Sequence, residues 1–177
     1  RASDKELIDA VENSGLNYSK PPDLFNLTAQ KLVDGKIVAW FQGGAEFGPR
    51  ALGNRSILAR PFPADIKDHI NARVKFREYF RPFAGAILEE QQNHYFNISQ
   101  PSPHMLIACQ ALPDKQKEIP AVCHVDGSCR IQSVNPDDNP KFYQLIQAFY
   151  ELTGVPVILN TSFNVKGQPI VNTPIQA

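Results

Sequence analysis

The sequence predicts a mixed α/β domain whose twisted sheet is mixed or largely antiparallel. Apolar runs of strand length outnumber the helical segments and alternate with them along the chain. The 177 residues are 42% hydrophobic and 20% charged, as in an ordinary globular protein, and the 15 prolines favour many short elements over a helical bundle. Because no repeat or linker divides residues 36–177, we predict one domain there.

The first 35 residues are predicted to form a helical lead-in to that domain. A capping box from Ser3 to Glu6 begins the first helix, and Gly15 ends it. A second helix is predicted to begin after Asp23 and to end at Gly35.

An apolar run over residues 37–41 predicts an interior strand, and a glycine-rich loop over residues 42–56 follows it. Such a loop can bring backbone N–H and guanidinium groups to an anion, so we predict phosphate binding; a mobile surface turn is the alternative. The glycine spacing resembles that of a nucleotide P-loop, but Pro49 and Arg50 stand where that motif requires lysine and a hydroxyl residue. Any phosphate site here therefore depends on arginine.

The remaining elements are a series of short strands and helices. We predict a strand at residues 56–59 and then a helix from residue 63, with Ile66, Ile70 and Val74 on one face. Strands at 83–88 and 105–109, an exposed loop at 110–120 and a hairpin with strands at 121–125 and 130–134 follow. The last two elements are a helix from Asn139 to Gly154 and a strand at 155–159; the apolar face of that helix consists of Phe142, Leu145, Ile146, Phe149 and Leu152.

A second candidate cluster follows the start of the helix predicted from residue 63. Asn71 and Lys75 share a helix face, and Arg77 comes next. Arg81 lies among aromatic and proline residues where the helix must end. That position suits a desolvated functional arginine and, equally, a structural arginine whose stem covers apolar surface.

Two further clusters lie near the predicted hairpin and the last strand. Strand alternation places Arg130 and Gln132 on one face, and His124 and Asp126 on one face of the preceding strand; a plain hairpin facing water is the alternative. In residues 160–167, hydroxyl and amide groups suit ligand recognition, metal coordination by oxygen, or an ordinary turn.

Five cations therefore stand at the ends of apolar elements, which predicts one shared anion site for more than one phosphate. They are Arg50, Lys75, Arg81, Arg130 and Lys166.

The composition argues against several classes of protein. A net charge of zero argues against nucleic-acid binding. Cys109, Cys123 and Cys129 show neither CxxC nor Cys/His metal spacing, so we predict reduced thiols in a cytoplasmic protein, without a bound metal or cysteine catalysis. No apolar run has membrane-spanning length, and no membrane partner is predicted. Because the sequence begins with Arg1, we interpret it as a piece of a longer protein.

Four blocks resemble, in order, the O-carbamoyltransferase family of nodulation and antibiotic biosynthesis. They are FQG with EFGPRALGNRS at residues 41–56, NxxxKxRE with FRPFA at 71–84, HVDG with RxQ at 124–132, and NTSFN with GxPIV at 160–171.

The resemblance implies a YrdC-like fold over residues 36–177, with flanking helices and a concave positive face on a twisted mixed sheet. Residues 1–35 would lead in from a Kae1-like N-terminal domain that is absent here. In such enzymes the YrdC-like domain binds carbamoyl phosphate and ATP with Mg²⁺, and forms carbamoyl-adenylate with loss of phosphate and pyrophosphate. The N-terminal domain, which holds the metal of the transfer step, passes the carbamoyl group to a substrate hydroxyl.

The resemblance also implies roles for individual residues. Arg50, Lys75, Arg81 and Arg130 match the catalytic basic residues that hold carbamoyl phosphate and the nucleotide phosphates. Lys166 falls where a basic residue, often arginine, completes that set. The other predicted substrate- and nucleotide-binding residues are Gln42, Gly43, Glu46, Arg55, Ser56, Asn71, Arg77, His124, Asp126, Gln132, Asn160, Thr161, Ser162 and Asn164.

Two alternative functions stay open. A threonylcarbamoyl-adenylate-forming enzyme of tRNA modification shares the implied fold but fits the four blocks poorly. A non-catalytic nucleotide- or RNA-binding module would use the same positive face, although zero net charge argues against RNA. The acceptor is not identified, and a homodimer is left open.

Overall fold

The computed structural model of the protein describes residues 3–177 and, within them, five α-helices and seven β-strands. The helices are α1 (Asp4–Asn13), α2 (Leu24–Val33), α3 (Ile66–Ile70), α4 (Gln92–Tyr95) and α5 (Pro140–Thr153). The strands are β1 (Val38–Phe41), β2 (Arg55–Ala59), β3 (Ala84–Leu88), β4 (Phe96–Asn97), β5 (Ala108–Ala111), β6 (Ser128–Val134) and β7 (Val157–Ser162).

One seven-stranded sheet has the order β1-β2-β7-β3-β6-β5-β4. Only β3 and β6 pair in parallel among the described strands, so the predicted α/β class with a mixed sheet is confirmed. Asn160 of β7 lies opposite Ala84 of β3, and Gly85 lies opposite Ile131 of β6. The carboxyl end of β7 therefore meets the amino ends of β3 and β6 at one end of the sheet.

The core forms where α2 and α5 pack against each other and α5 packs on β3 and β7. Ala29 and Leu32 of α2 and Phe142, Leu145 and Phe149 of α5 are fully buried there. Helix α2 thus belongs to the same core as the rest of the chain. The domain boundary after residue 35 stays a prediction.

The predicted helix ends agree with the structure. Ser3 and Glu6 form the capping box of α1, and Asp23 accepts a hydrogen bond from the N–H of Asn26 at the start of α2. Asn139 caps α5, and Gly154 ends it in the left-handed conformation. Leu152, predicted on the apolar face of this helix, is instead 48% exposed. Within the described residues, no helix combines the length and apolarity needed to cross a membrane.

Strand β1 is a half-exposed edge strand, so its prediction as an interior strand is wrong. Its apolar residues pack on one side against α2, because Trp40 lies beside Phe25. An apolar run can reflect contact with a helix at a sheet edge as well as a central position in the sheet.

The predicted hairpin over residues 121–134 is also wrong in its first strand. Residues 121–125 are a turn, and β6 pairs instead with β5. The N–H groups of Ala121 and Val122 donate to the carbonyls of Pro61 and Ile119, so they are unavailable to a ladder with β6.

The segment before this turn also differs from its prediction. The strand expected at residues 105–109 begins only at Ala108, because Met105 adopts a left-handed φ of 55° that a strand excludes. The loop predicted as exposed over residues 110–120 includes the end of β5 and the fully buried Ile119.

Candidate functional site

A small cavity of about 110 Å³ lies where β7 meets β3 and β6. It has the volume of roughly four water molecules, at about 30 Å³ each in the liquid. Three arginines from separate segments line it, and no acidic side chain does so within the described residues. The lining residues are Pro49, Arg50, Ala51, Arg77, Pro82, Phe83, Ala84, Met105, Arg130, Asn160, Thr161 and Ser162.

Two of the cavity arginines, Arg77 and Arg130, are partly buried and close to other cations. Burial lowers the pKa of Arg130, and the neighbouring Arg50 lowers it further. Burial likewise lowers the pKa of Arg77, with a further contribution from Arg81 that Glu78 partly offsets. An anion between these groups would replace lost solvation and relieve their mutual repulsion.

Two buried polar atoms of the lining residues lack a hydrogen-bond partner. They are the donor Nε of Arg130 and the acceptor Oδ1 of Asn160. Buried polar groups are normally paired. An unpaired donor and an unpaired acceptor among the lining residues therefore suit a ligand that has both acceptors and a donor.

The loop that carries Arg50 is held from inside by Glu46. One carboxylate oxygen, Oε1, accepts from the N–H groups of Leu52 at 2.7 Å, Asn54 at 2.8 Å and Arg55 at 3.2 Å. The carboxylate of Glu46 therefore organises the loop backbone, and it does not line the arginine cavity.

Arg55 also has its contacts inside the protein. Its side chain is 1% exposed and stacks over Phe41 at 3.5 Å. It donates to the carbonyl oxygens of Gln42 at 2.7 Å, Asn54 at 3.0 Å, Asn172 at 3.2 Å and Gly43 at 3.3 Å. Arg55 ties the loop to the C-terminal segment and does not face the cavity.

Two more predicted binding residues brace this loop. The side chain of Gln42 donates to the carbonyl of Gly53 at 2.8 Å and to Oδ1 of Asn139, the cap of α5, at 2.9 Å. Ser56 is fully buried, and its hydroxyl accepts from the N–H of Gly53 at 3.1 Å.

Lys75 fixes the end of β7. Its ammonium group donates to the carbonyl and hydroxyl oxygens of Ser162 and to both side-chain and backbone oxygens of Asn164. Burial, and next the charge of Arg77, lower the pKa of Lys75 to about 8. The ammonium thus positions Ser162, a lining residue, and does not itself line the cavity.

Two of the predicted cations lie on the surface. Arg81 forms an ion pair with Glu78 at 2.8 Å, and both side chains are about half exposed. It directly precedes Pro82, which lines the cavity, so it stands at the rim. Lys166 is exposed and lies outside the lining.

His124 and Asp126 do not share a strand face, because this segment is a turn. Both are exposed, and neither lines the cavity. A carboxylate oxygen of Asp126 accepts from the N–H and hydroxyl of Ser128, which is a local turn bond. These contacts supply no geometry for their predicted ligand role.

Gln132 and Asn160 form a bridge between strands β6 and β7. Asn160 donates to Oε1 of Gln132 at 3.1 Å and to the carbonyl of Ala51 at 3.2 Å. Gln132 donates to the carbonyl of Leu52 at 2.9 Å. Gln132 also lines a second cavity of about 390 Å³, so this bridge lies between the two cavities.

Met105 lines the arginine cavity, and no pattern in the sequence marks it as a site residue. Its left-handed backbone turns the chain at the cavity, and a left-handed methionine has no sequence signature. No group of three or more metal-binding His, Cys, Asp or Glu side chains occurs among the residues that the structure describes.

The family model for the carbamoyltransferase C-terminus matches residues 29–177. The chain belongs to the carbamoyltransferase C-terminus family. The resemblance deduced from the four sequence blocks is thereby confirmed.

Relatives of this carbamoyltransferase family domain include nodulation proteins. The chain is 43% identical to nodulation protein NolNO of Sinorhizobium fredii over 180 residues, covering 100% of this chain and 26% of that protein. It is 42% identical to nodulation protein NolO of Bradyrhizobium diazoefficiens, covering 89% of this chain and 29% of that protein. The chain thus spans between a quarter and a third of these relatives.

The fold resembles part of full-length HypF, whose crystal structure is in a phosphate- and nucleotide-bound form. The TM-score is 0.56 at 18% identity, over 88% of this chain and 19% of HypF. At this identity the likeness concerns the fold, and it agrees with the predicted twisted mixed sheet.

Proposed function

We propose that this carbamoyltransferase-family domain binds carbamoyl phosphate in the arginine-lined cavity and activates it with ATP as carbamoyl-adenylate. The carbamoyl group would then pass to a hydroxyl of an acceptor in a Kae1-like N-terminal domain of the same polypeptide, and AMP would leave. Water displaces phosphate from carbamoyl phosphate to give carbamate. A carbamate oxygen then bonds to the α-phosphorus of ATP, and pyrophosphate leaves.

The observation that carries the proposal is the pairing of charge and size at the cavity. Arg50, Arg77 and Arg130 surround a space of about 110 Å³ without a neighbouring acid in the described lining. Planar guanidinium groups bind phosphate through paired hydrogen bonds. The unpaired Oδ1 of Asn160 offers an acceptor to the N–H₂ of a carbamoyl group, which a simple phosphate lacks.

The cations would act by electrostatic stabilisation. Negative charge builds up on the phosphate that leaves, and fixed guanidinium groups in a poorly solvated cavity stabilise it strongly. Arg81 at the rim would extend the positive field toward the phosphates of ATP. Mg²⁺ would arrive bound to those phosphates.

The nucleoside part of ATP would occupy the larger cavity of about 390 Å³ beside the bridge of Gln132 and Asn160. Phe47 and Leu52 supply apolar surface there, and Asn54 and Asn135 supply amide groups. A ligand that spans both cavities would place its reacting phosphate near the bridge.

Alanine variants of the cavity arginines test this proposal. We expect Arg50→Ala and Arg130→Ala each to lower carbamoyl-phosphate-dependent pyrophosphate release from ATP at least a hundredfold, because removal of one charge-stabilising donor costs about that much. Arg73→Ala, which removes an exposed arginine outside the cavity, is the matched control and should keep the wild-type rate. Wild-type rates in both cavity variants would refute the assignment.

A further inference from the structure

We propose that Asn71 is a positioning residue that aims Arg77 into the cavity and fixes the rim of the site. The proposal rests on the anion site proposed above, but it concerns how that site is built. It replaces the sequence-based expectation that Asn71 binds substrate itself.

Asn71 has no access to a ligand in the cavity. Its side chain is 0% exposed and is not part of the lining. Its Oδ1 accepts from Nε of Arg77 at 2.8 Å, and its Nδ2 donates to the carbonyls of Tyr79 and Arg81, both at 3.1 Å. One buried amide thus binds three points of the segment that lines and rims the cavity.

The backbone brings these groups together through an unusual turn. Residues 71–75 form a π-helical turn, and Phe76 follows with a left-handed φ of 48°. This reversal lets the N–H of Arg77 donate to the carbonyl of Asn71 at 3.0 Å. Single π turns of this kind occur often at functional sites, where they re-aim a side chain.

Two contacts then fix the guanidinium of Arg77. Its Nε–H donates to Oδ1 of Asn71, and its Cζ atom lies 4.8 Å from the centre of the Phe83 ring. The two terminal NH₂ groups make no hydrogen bond within the described structure, so they are available to a ligand in the cavity that Arg77 lines. A guanidinium whose rotamer is fixed loses less entropy when it binds an anion.

The neutral charge of the amide matters as much as its geometry. Aspartate at this position would also accept from Nε, but it would pair with Arg77 and cancel the charge that attracts the anion. It would also lose the two donors to the carbonyls of Tyr79 and Arg81. Asparagine is the side chain of this size that orients Arg77 without neutralising the charge of its guanidinium group.

A double-mutant cycle with inorganic phosphate as the probe tests the proposal by calorimetry at fixed ionic strength. We expect Asn71→Ala and Arg77→Ala each to weaken phosphate binding about tenfold, as for loss of a charged hydrogen bond. We expect the double variant to bind no more weakly than Arg77→Ala alone, because Asn71 acts through Arg77. Losses that multiply in the double variant would overturn the proposal.

Two further measurements separate positioning from general structural support. Arg77→Lys keeps the charge but lacks the Nε–H that Asn71 binds, so phosphate binding should weaken severalfold. This variant tests the proposal even if Asn71→Ala does not fold. Wild-type phosphate affinity in Arg77→Lys would overturn the proposal. In ¹⁵N–¹H NMR spectra, the Nε–H proton of Arg77 should exchange slowly with solvent in the wild type and rapidly in Asn71→Ala. An unchanged signal would count against the proposal.

Asn26→Ala, on the exposed face of α2, is the matched control and should leave phosphate binding unchanged. The outcomes also separate this proposal from the proposed function. If the Arg77 signal depends on Asn71 but the wild type makes no carbamoyl-adenylate, positioning stands and the proposed chemistry fails. If the wild type binds phosphate but the losses of the two single variants multiply in the double variant, the anion site is supported and the positioning role of Asn71 is contradicted.

Discussion

At the scale of single residues, two arginines of the glycine-rich loop have different surroundings. Arg50 and Arg55 stand five positions apart in the same loop, yet Arg50 lines the cavity and Arg55 is buried against carbonyl groups and Phe41. The directions of the loop carbonyl groups decide which arginine is available to a ligand. A sequence block does not show those directions. The family resemblance predicted a catalytic role for Arg50 and a binding role for Arg55, whereas only Arg50 lines the cavity.

The burial of Lys75 leads to a prediction of how the free energy of unfolding depends on pH. Its buried ammonium has a pKa of about 8, against an ordinary value of 10.5. Between these two values the unfolded lysine holds a proton that the folded one has lost, so stability rises with pH through this window. Compared with Lys75→Met, which does not titrate, the wild type should gain on the order of 1–3 kcal/mol between pH 7 and pH 10.5.

Chemical denaturation of both proteins at intervals of one pH unit measures this difference. The control is Lys67→Met, which removes a lysine from the short helix α3 before the π turn. A Lys75→Met difference that stays flat from pH 7 to pH 10.5 would contradict the burial argument.

At the scale of elements, regular helices and most strands followed from periodicity and caps. The errors occurred where a chain reversal depends on backbone geometry. The turn at residues 121–125 uses its N–H groups in local and long-range bonds, and the π turn at 71–75 interrupts an otherwise helical apolar pattern. Neither feature changes the spacing of apolar residues, so periodicity alone could not show it.

The contact between the glycine-rich loop and α5 gives a prediction at this scale. Gly53 has a φ of 98°, and a Cβ atom there would overlap the ring of Phe142, which is fully buried. We expect Gly53→Ala to lower the free energy of unfolding by about 2–4 kcal/mol, from overpacking together with backbone strain.

Gly44→Ala is the matched control from the same loop. A Cβ atom at Gly44 would meet no atom within 4 Å, and its φ is not in the left-handed region. Its free energy of unfolding in urea should lie within about 0.5 kcal/mol of the wild type. Equal effects of the two substitutions would show that the loop does not pack on α5 as described.

At the scale of the whole molecule, the alternation of apolar strand-length runs with helical segments predicted the mixed α/β class correctly, and the family resemblance agreed with it. It could not show which helices share the core. Among the residues whose burial is described, α1 contributes none to the core, whereas α2 contributes Ala29 and Leu32, which are both 0% exposed. The predicted lead-in of 35 residues therefore contains one peripheral and one central helix.

Two truncations test this distinction. Removal of residues 1–21 should leave a folded protein with a cooperative thermal transition, because it removes α1 and no core residue. Removal of residues 1–35 should abolish that transition, since it exposes the face of α5 that α2 covers. A folded protein after the longer truncation would place the domain boundary after residue 35, as the sequence alone suggested.

The central claim is that Arg50, Arg77 and Arg130 form the carbamoyl phosphate site. A crystal structure of the protein with carbamoyl phosphate tests it most directly. We predict that the phosphate lies within hydrogen-bond distance of these three guanidinium groups, with the carbamoyl nitrogen facing Oδ1 of Asn160. Carbamoyl phosphate bound elsewhere, with only water in the arginine cavity, would contradict the claim.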